Sequence, residues 1–391
     1  MEQADKAMPF TGTLNHVKPT IFTEMSALAR ETGSYNLSQG FPDFPVEPEL
    51  LDRVNHYLRK GMNQYAPMAG TPQLRQAIVN FSEALYGASY DAEREITITA
   101  GGAQAISAAI ATSIREGDEV LLFSPAYDCY IPMIELAGGT PITVKLAHPH
   151  YRVDWDQVKR VVNHRTRMIV INTPHNPSGS LWDEEDYRQL AEIVGNSNIL
   201  LLGDDVYEHL VYPGRRHLSL RNFPELRKRS FVVGSLGKTL HVTGWKIGYC
   251  MAPENLMKEF QKVHQYQVFC VNHPMQRALA DHLEALDFGS IGAMYQRKQR
   301  YFEQLLAHTP FKPLPVSGGY FQLAEYGHLS QEPDRAFAER LAREYQVATI
   351  PLSPFYRDPT DHKVLRFCFA KDDATLEAAV EQLKKVKATP D

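Results

Sequence analysis

The sequence predicts an α/β architecture, a mainly parallel central sheet sandwiched by helices, joined to a smaller α+β domain. Three observations carry this. From about residue 70 to 240, short runs rich in Val, Ile and Leu alternate with longer helical patterns, the mark of parallel strands buried on both faces. From about residue 295 the strict alternation gives way to mixed strands and helices. With 391 residues, 43% of them apolar and 22% charged, the chain has room for two or three domains, or one large domain with a smaller companion, and it matches neither disordered nor collagenous composition.

Taken in order, residues 21–31 read as a helix and NLSQGFPDFP (36–45) as a strand with a Gly/Pro-rich turn. Thr71-Pro72 offers an N-cap followed by proline at the first helical position, opening a helix whose Leu74, Ile78, Phe81 and Leu85 share an apolar face. ITIT (96–99) is a strand, followed by a helix from about Gly102 to Ile114, the strand EVLLF (119–123), a helix near 128–137 and the strand PITVKL (141–146). MIVIN (168–172), a helix near 183–194, ILLLG (199–203) and FVVGS (231–235) complete the alternation. Then come a long helix from about 295, a strand in GGYFQLAEY (318–326), a helix near 333–345, the strand-like VATIPL (347–352) and VLRFCFA (364–370), and a last helix from about 373. The expected division is an N-terminal arm (1–45) contributing to the small domain, a large domain (46–295) and a small C-terminal domain (296–391).

Charge and composition exclude several functions. The net charge of −5 gives no basic surface for a phosphate backbone, so no nucleic-acid partner is expected. The longest uncharged stretch, Ile96 to Ile114, is interrupted by Thr97, Thr99, Gly101, Gly102, Gln104 and Ser107, so no membrane span is expected. MEQADKAMPF lacks a basic n-region and an apolar h-region, which points to a cytoplasmic protein. Cys129, Cys250, Cys270 and Cys368 lie far apart, without CxxC spacing, and read as reduced thiols with no metal site.

Ligands of open α/β sheets sit at the carboxyl ends of strands. After ITIT, Ala100-Gly101-Gly102-Ala103 enters a helix whose free N–H groups can hold a phosphate, although a glycine turn there is also ordinary packing. After MIVIN, Asn172-Thr173-Pro174-His175-Asn176-Pro177 makes a rigid polar loop, or a plain turn. Asp204 and Asp205 end a buried strand, where one paired carboxylate could hold a protonated heterocyclic nitrogen, or both could be helix caps. Lys238 sits in the small-residue turn Ser235-Leu236-Gly237-Lys238-Thr239, where a desolvated amine becomes a nucleophile; alone it could equally be a surface charge. Anion donors, acid, hydroxyl and amine at strand ends of one sheet, in this order, are what pyridoxal 5′-phosphate requires.

The motifs NLSQGFPDFP, NQYAP, AGGAQAI, SPAYDCY, NTPHNPSG, GDDVYEH, SLGKT, GWKIGY, VHQY and LRFCFAKDDATL span almost the whole chain. On them the chain resembles the pyridoxal-phosphate-dependent class I/II aminotransferases of fold type I, and is most similar to bacterial methionine aminotransferases and the kynurenine aminotransferase/glutamine transaminase K group. The resemblance implies that Lys238 carries the cofactor as a Schiff base and then moves a proton between Cα and C4′. It implies that Asp204 pairs with the pyridine nitrogen, that Tyr207 and Asn176 bond the ring's phenolic oxygen, and that Tyr127 stacks on the ring. Gly102, Ala103, Ser235 and Lys246 would hold the phosphate, with Tyr65 reaching it from the other subunit of a homodimer with shared active sites. Arg366 would grip the substrate α-carboxylate as a fork, with Gly40 and Asn176 completing that pocket. The sequence departs from the family pattern in having Lys246 for the commoner arginine, Asp205 for glutamate and Gly203 for serine.

Ile21, Phe22, Tyr127 and Phe269 would line the side-chain pocket, and this apolar wall favours a methionine or aromatic donor over aspartate, with a 2-oxo acid as acceptor. An alternative use of the site is the kynurenine/glutamine transaminase reaction with β-elimination on cysteine S-conjugates. A reading of another class is a cofactor-binding regulatory module without turnover, but about 35 residues before NLSQG are too few for a DNA-binding domain.

Overall fold

Seven strands form the central sheet in the spatial order Ile96–Thr99, Gly248–Met251, Ser230–Ser235, Leu200–Asp204, Thr166–Asn172, Glu119–Ser124, Thr140–Lys145. The computed structural model describes residues 11–388, so the reading of MEQADKAMPF lies outside the described residues. Neighbouring strands run parallel except around Gly248–Met251, which is antiparallel to both of its partners. That reversed strand is absent from the sequence reading: YCM is too short to stand out from the turn before it.

Alternation along the buried strands explains why both faces are covered. Leu121, Ile169, Leu201 and Val232 face one core, whereas Val120, Leu122, Val170, Leu202 and Val233 face the other. The second face is covered by the helix Gly102–Ser113, whose Ala105, Ala108 and Ala109 are fully buried, so that the helix lies close to the sheet.

The helix Pro72–Tyr86 starts at the expected proline. The Thr71 side chain makes no cap bond, however, and its backbone N–H donates instead to Gln276 Oε1 at 2.8 Å. Leu74, Ile78 and Phe81 are buried as expected, but Leu85 is 43% exposed and Tyr86 takes the inward place. An α-helix turns at 3.6 residues, so the buried stripe drifts by the fourth turn. Three helices unread in the sequence, Pro48–Arg59, Glu254–Gln267 and His273–Leu283, surround the reversed strand's side of the sheet.

A second, antiparallel sheet runs Ile350–Pro351, Val364–Cys368, Phe321–Glu325, Lys312–Pro313. Beside it Tyr35–Asn36 pairs in parallel with Val347–Ala348, so VATIPL is not one strand but two, serving different sheets. The long helix Phe288–Leu306 begins before the expected 295. Asp287 caps its start through a 2.9 Å bond from the Gly289 N–H. Among the described residues no helix is long and apolar enough to cross a membrane.

Candidate active site

The carboxyl ends of the central strands and the second sheet enclose a cavity of about 320 Å³. It gathers Gly40, Gly102, Ala103, Tyr127, Asn176 and Asp204, together with Tyr207, Ser235, Lys238, Lys246, Phe22 and Arg366, nearly every residue singled out in the sequence. Three are not among its lining. Phe269, in a left-handed conformation (φ 71°) just beyond the helix Glu254–Gln267, turns outward and is 42% exposed. Tyr65, 81% exposed, meets it edge-on with ring centroids 5.2 Å apart. Ile21 also leaves the wall: it is buried in the core, and its neighbour Phe22 faces the cavity.

At one end lies an anion cradle. The first N–H groups of the helix Gly102–Ser113 have no partner within the helix and carry its positive end. Gly101 precedes them at φ 79°, and a Cβ there would stand 3.2 Å from Lys246 Nζ, so the lysine ammonium lies beside the helix start. A Cβ on Gly248 would come within 2.7 Å of the Gly101 carbonyl carbon and 2.9 Å of the Gly102 nitrogen. Glycine at 248 is what lets the reversed strand run against that turn.

At the floor is Asp204, 3% exposed at the end of its strand. Its Oδ2 accepts from the Tyr130 hydroxyl and its Oδ1 from the Val206 N–H at 3.3 Å. Burial nevertheless pushes its pKa up to about 6, the behaviour of a carboxylate lacking a full counter-charge. The helix-cap alternative does not hold for this pair, since no helix follows them. Asp205 points away, into a buried cluster where Arg221 Nη2 donates to it at 3.1 Å.

Lys238 stands on the short helix Leu236–Thr239, half-buried, its Nζ 3.4 Å from the Gly40 carbonyl and 5.8 Å from the Tyr207 ring centroid. Burial lowers its pKa to about 8, with Lys246 and Arg366 adding repulsion. A lysine so placed is about one-tenth free amine at pH 7, far more than an ordinary lysine.

Arg366, 1% exposed in the strand Val364–Cys368, is held from several sides. Nη1 donates to Asn176 Oδ1 at 2.9 Å and Nη2 to the Ser38 carbonyl at 3.0 Å. The Phe321 ring lies 3.9 Å from its Cζ, with Phe22 at 5.0 Å and Phe355 at 5.5 Å. Its Nε is buried and has no hydrogen-bond partner among the described residues. Asn176 is itself fixed by a 2.8 Å bond from its N–H to Asn172 Oδ1.

Phe321, Tyr320 and Tyr130 escape the sequence reading. Tyr320 donates to the Gly40 carbonyl at 2.7 Å and meets the Tyr207 ring edge-on at 5.3 Å. Phe321 gave no signal beyond its strand. Tyr130 gave none beyond the helix that it opens.

An anion cradle, an under-compensated buried acid and a lowered lysine, all on one cavity, fit pyridoxal 5′-phosphate. The cradle residues would hold its phosphate, Asp204 its ring nitrogen and Lys238 its aldehyde carbon.

Comparison with known proteins agrees. A family model described as aminotransferase class I and II matches residues 32–383. A methionine aminotransferase of Escherichia coli is 44% identical over 369 residues, covering 94% of this chain and 96% of the relative. Human kynurenine–oxoglutarate transaminase 3 is 32% identical, covering 97% and 91%. Among solved structures, Escherichia coli YbdL, described as having a methionine aminotransferase function, superposes with a TM-score of 0.94 at 43% identity, covering 97% of this chain and 100% of that one.

Proposed function

The chain belongs to the class I and II aminotransferases, and from that premise we propose that it moves the amino group of a neutral L-amino acid, methionine or an aromatic one, to a 2-oxo acid. One observation carries the choice of donor. Among the described residues lining the cavity the cations are Lys238, Lys246 and Arg366, and these are engaged by the aldehyde, the phosphate and the α-carboxylate respectively. The wall beside Arg366 is made of Phe22 and Phe321. A side-chain carboxylate buried there without a partner costs several kcal/mol, whereas a thioether or aromatic ring is favoured by burial.

The enzyme uses pyridoxal 5′-phosphate, which supplies a carbonyl to take up the amino group and a ring to accept the electrons released at Cα. Arg366 holds the α-carboxylate in a fork that Phe321 packs against and Asn176 aims. Lys238, poised near its pKa of about 8, removes the Cα proton and returns it on the other side of the exchange. Asp204 would keep a proton on the ring nitrogen, Tyr207 would donate to the ring's phenolic oxygen, and Tyr127, with Phe22 and Phe321, would cover the ring and exclude water.

The reading includes a cytoplasmic homodimer with shared sites. The exposed aromatic pair Tyr65 and Phe269 supports the dimer, and four free thiols fit a reducing compartment. The test of function is steady-state transamination with methionine, phenylalanine and aspartate as donors. Methionine or phenylalanine is expected to exceed aspartate by about a hundredfold or more in kcat/KM; a preference for aspartate would sink the proposal.

A further inference from the structure

We propose that Tyr130 is a positioning residue for Asp204: the hydroxyl it donates to Oδ2 decides where the proton shared between Asp204 and the cofactor's ring nitrogen resides. The inference rests on the reading above that Asp204 faces that nitrogen.

Tyr130 opens the helix Tyr130–Leu136 and is 2% exposed. Its ring meets that of Tyr127 edge-on, centroids 5.8 Å apart at 86°, while its hydroxyl donates to Asp204. One side chain therefore touches both residues expected to flank the cofactor ring. Burial, and next the charge of Asp204, hold the phenol well above its ordinary pKa, so it stays a donor throughout the working pH range. Among the described residues Tyr130 and the Val206 N–H donate to this carboxylate; Lys238 favours its anion from farther off, and Asp205 opposes it.

A carboxylate and a ring nitrogen in contact hold one proton, and the more basic partner keeps it. Burial makes Asp204 more basic, which would pull the proton off the nitrogen and leave the ring neutral, a poor acceptor of electrons. A donated O–H stabilises the carboxylate anion and makes it less basic, with a low local dielectric strengthening the effect. Tyr130 thus offsets the cost of burying Asp204, and does so without touching substrate. A hydrogen bond to a charged group shifts such an equilibrium by roughly ten- to a hundredfold.

The test uses holoenzyme loaded with pyridoxal phosphate labelled with ¹⁵N in the ring. In the parent protein the ring nitrogen is expected to resonate at its protonated position. In Tyr130→Phe the resonance is expected to move toward the unprotonated position, kcat to fall about tenfold, and KM for methionine to change little. A fluorinated tyrosine installed at position 130, a stronger donor, is expected to keep the protonated signal and to serve if Tyr130→Phe folds poorly. Asp204→Asn separates the two readings. If it moves the resonance and Tyr130→Phe does not, the role of Tyr130 is overturned; if Asp204→Asn leaves the resonance in place, the pairing of Asp204 with the nitrogen falls first.

Discussion

Replacing Arg366 by lysine keeps one positive charge at the head of the substrate pocket and removes everything else the guanidinium does there. The side chain now bonds Asn176 Oδ1 and the Ser38 carbonyl and lies over Phe321, its Cζ 3.9 Å from the ring centre. A lysine offers a single point of contact, so the second charge-assisted bond to the α-carboxylate is lost, about 1.5–3 kcal/mol. Loss of the guanidinium stack, which a lysine ammonium partly replaces, adds about 0.5–1 kcal/mol. Together these come to about 2–4 kcal/mol, a fall of roughly 30- to 1,000-fold in kcat/KM. The assay is steady-state transamination with methionine and with phenylalanine, each against several concentrations of one 2-oxo acid. Because every substrate carries the same α-carboxylate, the loss should be equal for both donors and should extend to the acceptor. A fall of less than threefold, or one confined to a single donor, would refute the assignment of Arg366.

Three further outcomes follow from the same geometry. The cofactor-free enzyme should capture pyridoxal phosphate at a rate that rises with pH through about 8 and then levels, since the free amine of Lys238 is the attacking form; stopped-flow absorbance reads this, and a rate flat from pH 6 to 10 would argue against it. His175 is buried and neutral: its Nε2–H donates to the Pro125 carbonyl at 2.9 Å, so Nδ1 accepts from Ser178, and burial lowers its pKa to about 4. The unfolded chain takes up this proton near pH 6.5 and the folded one does not, so about 3 kcal/mol present at neutral pH is lost as pH falls from about 6.5 to about 4; urea unfolding across that range should be less acid-sensitive in His175→Gln. Arg221→Met leaves Asp205 and Glu208 buried without their cation, costing about 3–5 kcal/mol; adding Glu208→Gln should recover part of it, and a double variant no more stable than the single would contradict the pairing.

Much of the site is legible in the chain because its chemistry sits where strands end. Asp204, Lys238, Asn176 and the turn at Gly101 and Gly102 each follow a short apolar run, and parallel strands of one sheet bring such ends to one edge. Arg366 stands out because a charge inside the apolar strand-like run VLRFCFA makes a solvated face less expected. Phe321 and Tyr320 were not legible, since an aromatic in a strand reads as core until its neighbour across the fold is known. Thr71 and Leu85 show the opposite limit: a local pattern names the helix, but the Thr71 side chain caps nothing and its own N–H goes to Gln276, 205 positions away.

The sequence by itself determined the alternation of strands and helices, the order of the acid, hydroxyl and amine along the chain, and the chemistry those groups can perform. These are local matters, fixed by periodicity, turn residues and side-chain type. Only the tertiary structure decided that Phe269 turns out to meet Tyr65 rather than lining the cavity, that Phe321 packs against Arg366, and that Tyr130 reaches Asp204. Each of those depends on contacts between residues tens to hundreds of positions apart, through a backbone turn or a packed face whose direction no short window of sequence encodes. The pKa values of Asp204 and Lys238 belong to the same class, because burial sets them and burial is a property of the whole fold.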